Sequence, residues 1–368
     1  MPLIRDIRDI ARQAGRPRAR PVFQLVAPAG RSAQKPPLFL LGPVTEALLH
    51  DLACQTETPE VGCYGFADTL VAPTGIPIKQ GVAFHGEAFL HPRHLVVSIS
   101  DRLNAERLPT RPVSGDVAVL CGPAHETYGH WLVDFLPRLW VLHQAGHDLA
   151  ALRYLVPADL RPFGFALLRL CGIRNEQLVL YSHWNEVPRV ERLLLPTGLR
   201  RGDRLAPCFA EATQFWLRRA RLALPAPATT GGALFLARPR GSQRPLVNRK
   251  RIETIAGAHG FAIMRPEDLS FPEQVALFAS AGTIAGEYGS ALHNAMFAAP
   301  GTAVLALRGT SRHPSLVQSG IATALDQEVG YVFGGTEGAE ADQAFYVDEK
   351  AFRLGLELVA LRRGARGG

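Results

Sequence analysis

Apolar and polar positions change period several times along the chain, and each change predicts an element. Between residues 60 and 118, short apolar runs (Val61–Phe66, Val82–Phe89, His94–Ser98) are broken by Gly, Pro and His. They predict strands of a small sheet. From Tyr128 to His143, Trp131, Phe135, Leu139 and Leu142 recur at helical spacing. A strand at Tyr154–Val156, a helix at Pro162–Cys171 capped by Gly172, and strands at Gln177–Tyr181 and Val190–Leu195 come next. Phe209–Leu224 reads as a helix, and the run PAPATTGG at 225–232 then punctuates the chain.

Beyond it the alternation is regular. Strands are predicted at Leu234–Ala237, Phe261–Met264, Gly282–Ala285 and Thr302–Leu307. Helices are predicted at Arg249–Ala258, Phe271–Ser280 and Ser290–Phe297, and a last one at Asp348–Leu361. Short loops between alternating elements imply a parallel sheet covered by helices. The fold class is therefore α/β. Residues 1–35, rich in Pro, Gly and Arg, read as a flexible basic arm with one short helix at Ile4–Ala14. Residues 36–224 form an N-terminal α/β domain and 225–368 a C-terminal one, with a final helix able to pack back on the N-terminal domain.

Length and composition narrow the classes. The 368 residues suffice for two domains, and 47% apolar residues exclude a disordered chain. There is no apolar run of about 20 residues to span a membrane. The basic N-terminus lacks an apolar core, so no secretory signal is expected there. The five cysteines are scattered, with no CxxC pair, which supports neither a disulfide framework nor a zinc ribbon. The net charge is +7, and only four of the 40 cations are lysines. Beside 35 Gly and 28 Pro, most of that excess reads as compositional background. An RNA-binding module is the reading the charge alone permits, but no RNP-like motif or basic–aromatic interleaving supports it.

Three constellations can carry chemistry. In the first, His130, Asp134 and Arg138 fall at i, i+4 and i+8 of the helix predicted from Gly129, beside Trp131 and Phe135. Asp134 can orient a histidine and Arg138 can hold an anion. A bland alternative is a surface helix with an Asp134–Arg138 ion pair, and Pro137 disturbs the spacing. In the second, a strand runs into Gly286-Glu287-Tyr288-Gly289-Ser290 and then a helix. Glycines allow close backbone approach, Ser290 is an N-cap candidate, and the helix start can face an anion. His293 and Asn294 lie further in, where polar side chains can face a cleft. In the third, Arg238 to Lys250 supplies several cations directly after a strand, and an arginine fork matches phosphate oxygens. HExxH, GxSxG, GxGxxG and a DxD metal clamp are all absent.

Taken together, these segments resemble the glycosyltransferase 61 family, which includes capsular-polysaccharide biosynthesis proteins. Tyr128 to Leu139 matches its YxHWLxDxLPRL-like segment. Ala237-Arg238, Arg244 and Asn248 match the strand followed by two arginines and an asparagine. Gly260-Phe261, Pro266-Glu267, Leu269-Ser270-Phe271 and Glu273-Gln274 match the next stretch. Gly286, Gly289, Leu292, Asn294, Phe297, Pro300 and Gly301 match GxHGAxLxNxxFxxPG, and Tyr346-Val347-Asp348 matches the closing motif. Three positions depart: Tyr288 stands where the family has histidine, Ser290 where it has alanine, and Ala237 where it has serine.

The resemblance implies a GT-B-like fold, two Rossmann-like domains facing a cleft, and inverting transfer from a UDP-linked sugar such as GlcNAc, xylose or arabinose. The donor would bind through Arg238, Arg244, Asn248, Gly286, Glu287, Tyr288, Gly289, Ser290, His293 and Asn294. The base would be Asp134, His130 or Glu126, with Tyr128, Trp131 and Arg138 on the acceptor side. The acceptor would be a glycan or lipid-linked saccharide. No tightly bound cofactor is expected, transfer would be metal-independent, and nucleic acid is not expected as a partner. Placement would be cytoplasmic, with peripheral contact at the inner membrane face left open. The Tyr288 departure keeps a second reading, a nucleotide- or sugar-binding protein without transfer activity.

Overall fold

The computed structural model describes residues 4–6, 22–53, 56–72, 75–79, 82–85, 108–122, 124–181, 185–221, 232–238, 244–310, 316–336 and 344–366. The chain divides into two compact units. The first comprises Met1–Gly30, Glu57–Gly202 and Ala206–Arg221; the second comprises Arg31–Thr56, Asp203–Leu205 and Leu222–Gly368. The predicted break at 225–232 lies, save for its last residue, outside the described residues.

Among the described residues, the first unit is built on a nine-stranded sheet. Its long strands are β1 (Val61–Ala72), β2 (Thr110–Val119), β3 (Arg153–Pro157), β4 (Leu178–Tyr181) and β5 (Val187–Pro196). β5, β2, β3 and β4 run parallel in that spatial order, and β1 joins β5 antiparallel. Val71, Val117, Val190 and Leu193 are fully buried in one cluster with Tyr64 and Phe66. Helices α1 (Arg138–Gln144), α2 (Pro162–Leu170) and α3 (Phe209–Arg219) accompany the sheet. The expected loose arm is corrected: Val22–Ala27 pairs antiparallel with β1, and Ile4–Asp6 is a strand parallel to Val82–His85, not the start of a helix. Backbone pairing with strands far along the chain leaves no local signal. The remainder of the predicted Ile4–Ala14 helix and the His94–Ser98 strand lie outside the described residues.

The second unit follows the predicted alternation closely. Its strands are β6 (Gly232–Leu236), β7 (Ala262–Met264), β8 (Ala281–Glu287), β9 (Ala303–Gly309) and β10 (Glu328–Thr336). They lie in the order β7-β6-β8-β9-β10, all parallel. Helices α4 (Arg249–Ala258), α5 (Phe271–Ala279), α6 (Val317–Ala324) and α7 (Glu349–Arg366) connect and cover them. α5 starts on a capping box, Ser270 with Glu273, and carries Pro272 in its first turn, so its boundary is written locally. α7 packs on β8, β9 and β10, with Phe352, Leu356 and Val359 in the core, so the final helix belongs to this unit and not to the N-terminal one.

One segment placed in the N-terminal domain by sequence also belongs here. Leu40–Leu41 adds a short strand parallel to β10, Leu38 N donates to Val329 O at 2.8 Å, and the Phe39 ring lies against Gly330. A Cβ on Gly330 would come within 2.4 Å of that ring, so the glycine makes the contact. A two-residue strand with so distant a partner has no period to read.

Among the described residues, Cys63, Cys121 and Cys171 are free and buried, and burial pushes their thiol pKa values up to about 12. They behave as small core residues.

Candidate functional site

In the first unit the predicted helix is interrupted. Tyr128–His130 is one α-turn, Trp131–Phe135 is a π-helical turn, and α1 comes after it. Leu136 N donates to Trp131 O at 2.9 Å, an i to i+5 bond. Pro137, which has no N–H to give, then stands at the cap of α1 instead of inside a helix. Such π-turns are frequent at functional sites.

Arg138 lies beyond this turn, at the start of α1. Asp134 is 1% exposed, so this is no surface helix. His130 Nδ1 lies 2.6 Å from Asp134 Oδ2. Arg200, from 66 residues further on, donates from Nε to Oδ1 at 2.6 Å and from Nη2 to Oδ2 at 2.9 Å. Burial acts against the charge on Asp134, but the Arg200 guanidinium and the bond to His130 outweigh it. They hold the carboxyl well below the usual carboxylate range. With Nδ1–H directed at Asp134, a neutral His130 carries its acceptor lone pair on Nε2. His130 is 26% exposed at its side chain.

The neighbours predicted for the acceptor side are mostly interior. Trp131 is fully buried, donates Nε1–H to His125 O at 2.8 Å, and packs on Gly164, where a Cβ would meet its ring at 3.0 Å. Arg138 is fully buried, donates to Leu120 O at 3.1 Å, and lies over the Phe135 ring. Both side chains pack in the interior. Tyr128 is half-buried, edge-on to Phe163 at 5.8 Å, and Glu126 is exposed in the preceding turn.

Among β6 to β10 of the second unit, chain order and spatial order disagree at one place. β6 is first in sequence, yet β7 lies on one side of it and β8 on the other. The gap between β6 and β8 is thus a topological switch point, where crossovers leave opposite faces and a crevice opens at the strands' C-terminal ends. Arg238 follows β6 there, and Tyr288-Gly289 follows β8. Gly286 permits the close approach, because a Cβ there would come 2.8 Å from Leu236 Cβ. Gly289 faces Arg238, whose guanidinium carbon lies 3.5 Å from where a Cβ would be.

Beneath, Glu287 is fully buried and paired with Arg249 through both oxygens, at 2.7 and 3.2 Å. Arg249 also donates to the Arg238 carbonyl at 3.0 Å, which ties the end of β6 to the end of β8. Burial lowers the pKa of Arg238; Glu287 offsets this, while Arg244 and Arg249 add like charge. Arg244 holds φ at 56°, a left-handed conformation unfavourable for arginine, directly before Pro245.

Several predicted donor residues have other duties. Asn248 donates to Val347 O at 2.8 Å and accepts from Val347 N at 3.3 Å, so it pins the chain before α7. Asn294 is fully buried and donates to Gln274 at 2.8 Å, joining its turn to α5. Ser290 is not the cap. Gly289 occupies that position, and Ser290–Phe297 is a 3-10 helix. Tyr288 is 7% exposed and His293 is half-buried, edge-on to it at 6.2 Å. Arg200 and Arg249, not singled out from sequence, are the residues that organise the two sites. Arg200 had no local signal; Arg249 stood in the basic run but read as a helix start.

Among the described residues, no three His, Cys, Asp or Glu side chains gather as a metal ion would need, and no helix is long and apolar enough to cross a membrane.

No curated protein matches the chain in sequence. A solved structure, the flavodiiron core of Flv1 from Synechocystis, aligns at 12% identity over 48% of this chain and 43% of its own, with a TM-score of 0.25. The chain thus spans less than half of that protein, and so loose a likeness carries no argument. The family model described as Glycosyltransferase 61 matches residues 128–305, from the start of the His130 turn into β9. With its two α/β units, GT-B-like in make-up, the chain is similar to the glycosyltransferase 61 family over those residues, and that likeness supports a glycosyltransferase-type activity in general.

Proposed function

We propose that the protein is an inverting glycosyltransferase. It would move a sugar from a UDP-sugar to a hydroxyl of a glycan or lipid-linked saccharide, as in surface-polysaccharide synthesis. The observation that carries this reading is the Arg238 guanidinium seated against Gly289 at the switch point, with Arg244 and Arg249 around one carboxylate. The local excess of positive charge suits a diphosphate.

Inverting transfer asks for two things. Charge growing on the departing diphosphate must be stabilised, and the attacking hydroxyl must lose its proton. Arg238, Arg244 and the backbone after β8 answer the first need. His130 answers the second: Nε2 takes the hydroxyl proton while Asp134 stabilises the imidazolium that forms. The acceptor oxygen bonds to the anomeric carbon from the face opposite the diphosphate, which leaves with the bonding pair. Asp134, closed by Arg200, is a positioning residue, and Glu126 has the exposure but no such support.

The test is binding of UDP, GDP and CMP by calorimetry, then turnover of the matching donors with the product anomer read by NMR. Loss of nucleotide affinity in the Arg238→Ala, Arg244→Ala variant and an inverted anomer are expected. Retained configuration, or unchanged affinity in that variant, would sink the reading. One observation favours binding without transfer: Tyr288, in place of the family histidine, is buried under Arg308. Nucleotide binding with no product from any donor would support that alternative.

A further inference from the structure

Arg308 is treated unlike the other buried arginines. Arg138 donates to the Leu120 carbonyl, Arg200 to Asp134, and Arg204 to the Asp51 carbonyl. Arg308, at the end of β9 and 6% exposed, donates to no oxygen among the described residues, and its Nη1 is buried without an acceptor. Its guanidinium lies over the Tyr288 ring, 5.6 Å from the centroid. A ring face attracts a cation, but offsets only part of the cost of taking it out of water.

A second donor nearby is in the same condition. Gln318, in the first turn of α6, is fully buried. Its Oε1 lies 3.3 Å from His293 Nδ1, and its Nε2 has no acceptor. Asp203 accepts the Leu316 amide at 2.6 Å. The Tyr331 hydroxyl is matched with Ser319 Oγ at 2.7 Å. Two buried donors, one of them charged, therefore stand without acceptor oxygens among the described residues: Arg308 against Tyr288, and Gln318 against His293. The half-buried His293 borders them through its contacts with Tyr288 and Gln318.

This place differs from the diphosphate position. Gly289 faces Arg238, whereas Tyr288, one residue earlier, faces Arg308. A ligand whose diphosphate sits at the first cation would reach the second with another part of itself. The fork of an arginine and the amide of a glutamine match the two oxygens of a carboxylate. Both residues lie beyond residue 305, where the family match ends.

We propose that Arg308 and Gln318 form a second anion subsite that recognises a carboxylate on the transferred sugar, so that the donor is a nucleotide-linked sugar acid of the hexuronate kind. This rests on the nucleotide-sugar reading above. The experiment is calorimetry of the full chain with UDP, UDP-glucose and UDP-glucuronate, for wild type and Arg308→Met. Wild type should bind UDP-glucuronate at least about tenfold more tightly than UDP-glucose. Arg308→Met should abolish that difference, leave UDP affinity in place, and melt no lower than wild type, because it removes a buried charge without a partner.

Equal affinity of wild type for the two sugars overturns the proposal. So does an equal loss of all three ligands in the variant, which would put Arg308 on the diphosphate. Should Arg308→Met not fold, Gln318→Leu keeps the arginine and is expected to weaken only the glucuronate form. If no UDP ligand binds, the donor reading fails, and glucuronate against glucose then decides the subsite. A thermal response to glucuronate that Arg308→Met lacks upholds it, and no response overturns it.

Discussion

Arg200 closes both oxygens of Asp134, and the same carboxylate holds His130 Nδ1, so one buried acid joins a π-turn to the segment just beyond β5. The pair is nearly inaccessible on both sides, at 6% and 1% exposure. Removing one partner of such a pair strands the other charge. Asp134→Asn should cost about 3–5 kcal/mol of stability by urea denaturation, and Asp134→Leu with Arg200→Met considerably less.

The pair also sets a pH dependence. The folded pKa of Asp134 lies below the ordinary 3.8, so its contribution is fully present above that value and is lost as pH falls below it. Urea midpoints measured from pH 5 downward should fall more steeply for wild type than for Asp134→Asn. Parallel curves would show that the carboxylate is not held in this way.

His130 is predicted to act in the chemical step. His130→Gln should lower kcat by about a hundredfold to ten-thousandfold while donor KM stays near wild type. A loss confined to donor KM would move this histidine from proton transfer to binding.

Asn248 separates a structural role from a donor role. Its side chain exchanges two hydrogen bonds with the Val347 backbone. Asn248→Ala should cost about 1–3 kcal/mol of stability with nucleotide affinity unchanged, because buried backbone groups lose their partners. A stable variant with weakened nucleotide binding would restore the donor role expected from sequence.

The two loop glycines should behave differently. An added Cβ at Gly286 would come 2.9 Å from the Leu236 carbonyl, so Gly286→Ala should destabilise by about 1–3 kcal/mol. At Gly289 the nearest atom is Arg238 at 3.5 Å, an ordinary contact. Gly289→Ala should fold normally but weaken nucleotide binding, since the methyl group stands where the guanidinium meets the backbone. Calorimetry and thermal melts on the two variants check both statements.

What could be read in the sequence was local. α4 runs over Arg249–Ala258 as its pattern predicts, and α5 announces itself by Ser270, Pro272 and Glu273. The alternation from β6 to β10 is legible because each element carries its own period and its own stop signal. The positions of His130, Asp134, Arg238 and the Gly286–Gly289 loop were legible as motif. Tertiary structure decided their partners and therefore their roles. Arg200 reaches Asp134 across 66 residues and Arg249 reaches Glu287 across 38, and no periodicity encodes such a meeting. Arg138, just beyond the π-turn, is buried in the interior, and pairing with β10 drew Leu40–Leu41 into the second unit. A sequence records which residue types can hold a charge. Only the fold, by burying some of those charges against others, decides which become structure and which remain for a ligand.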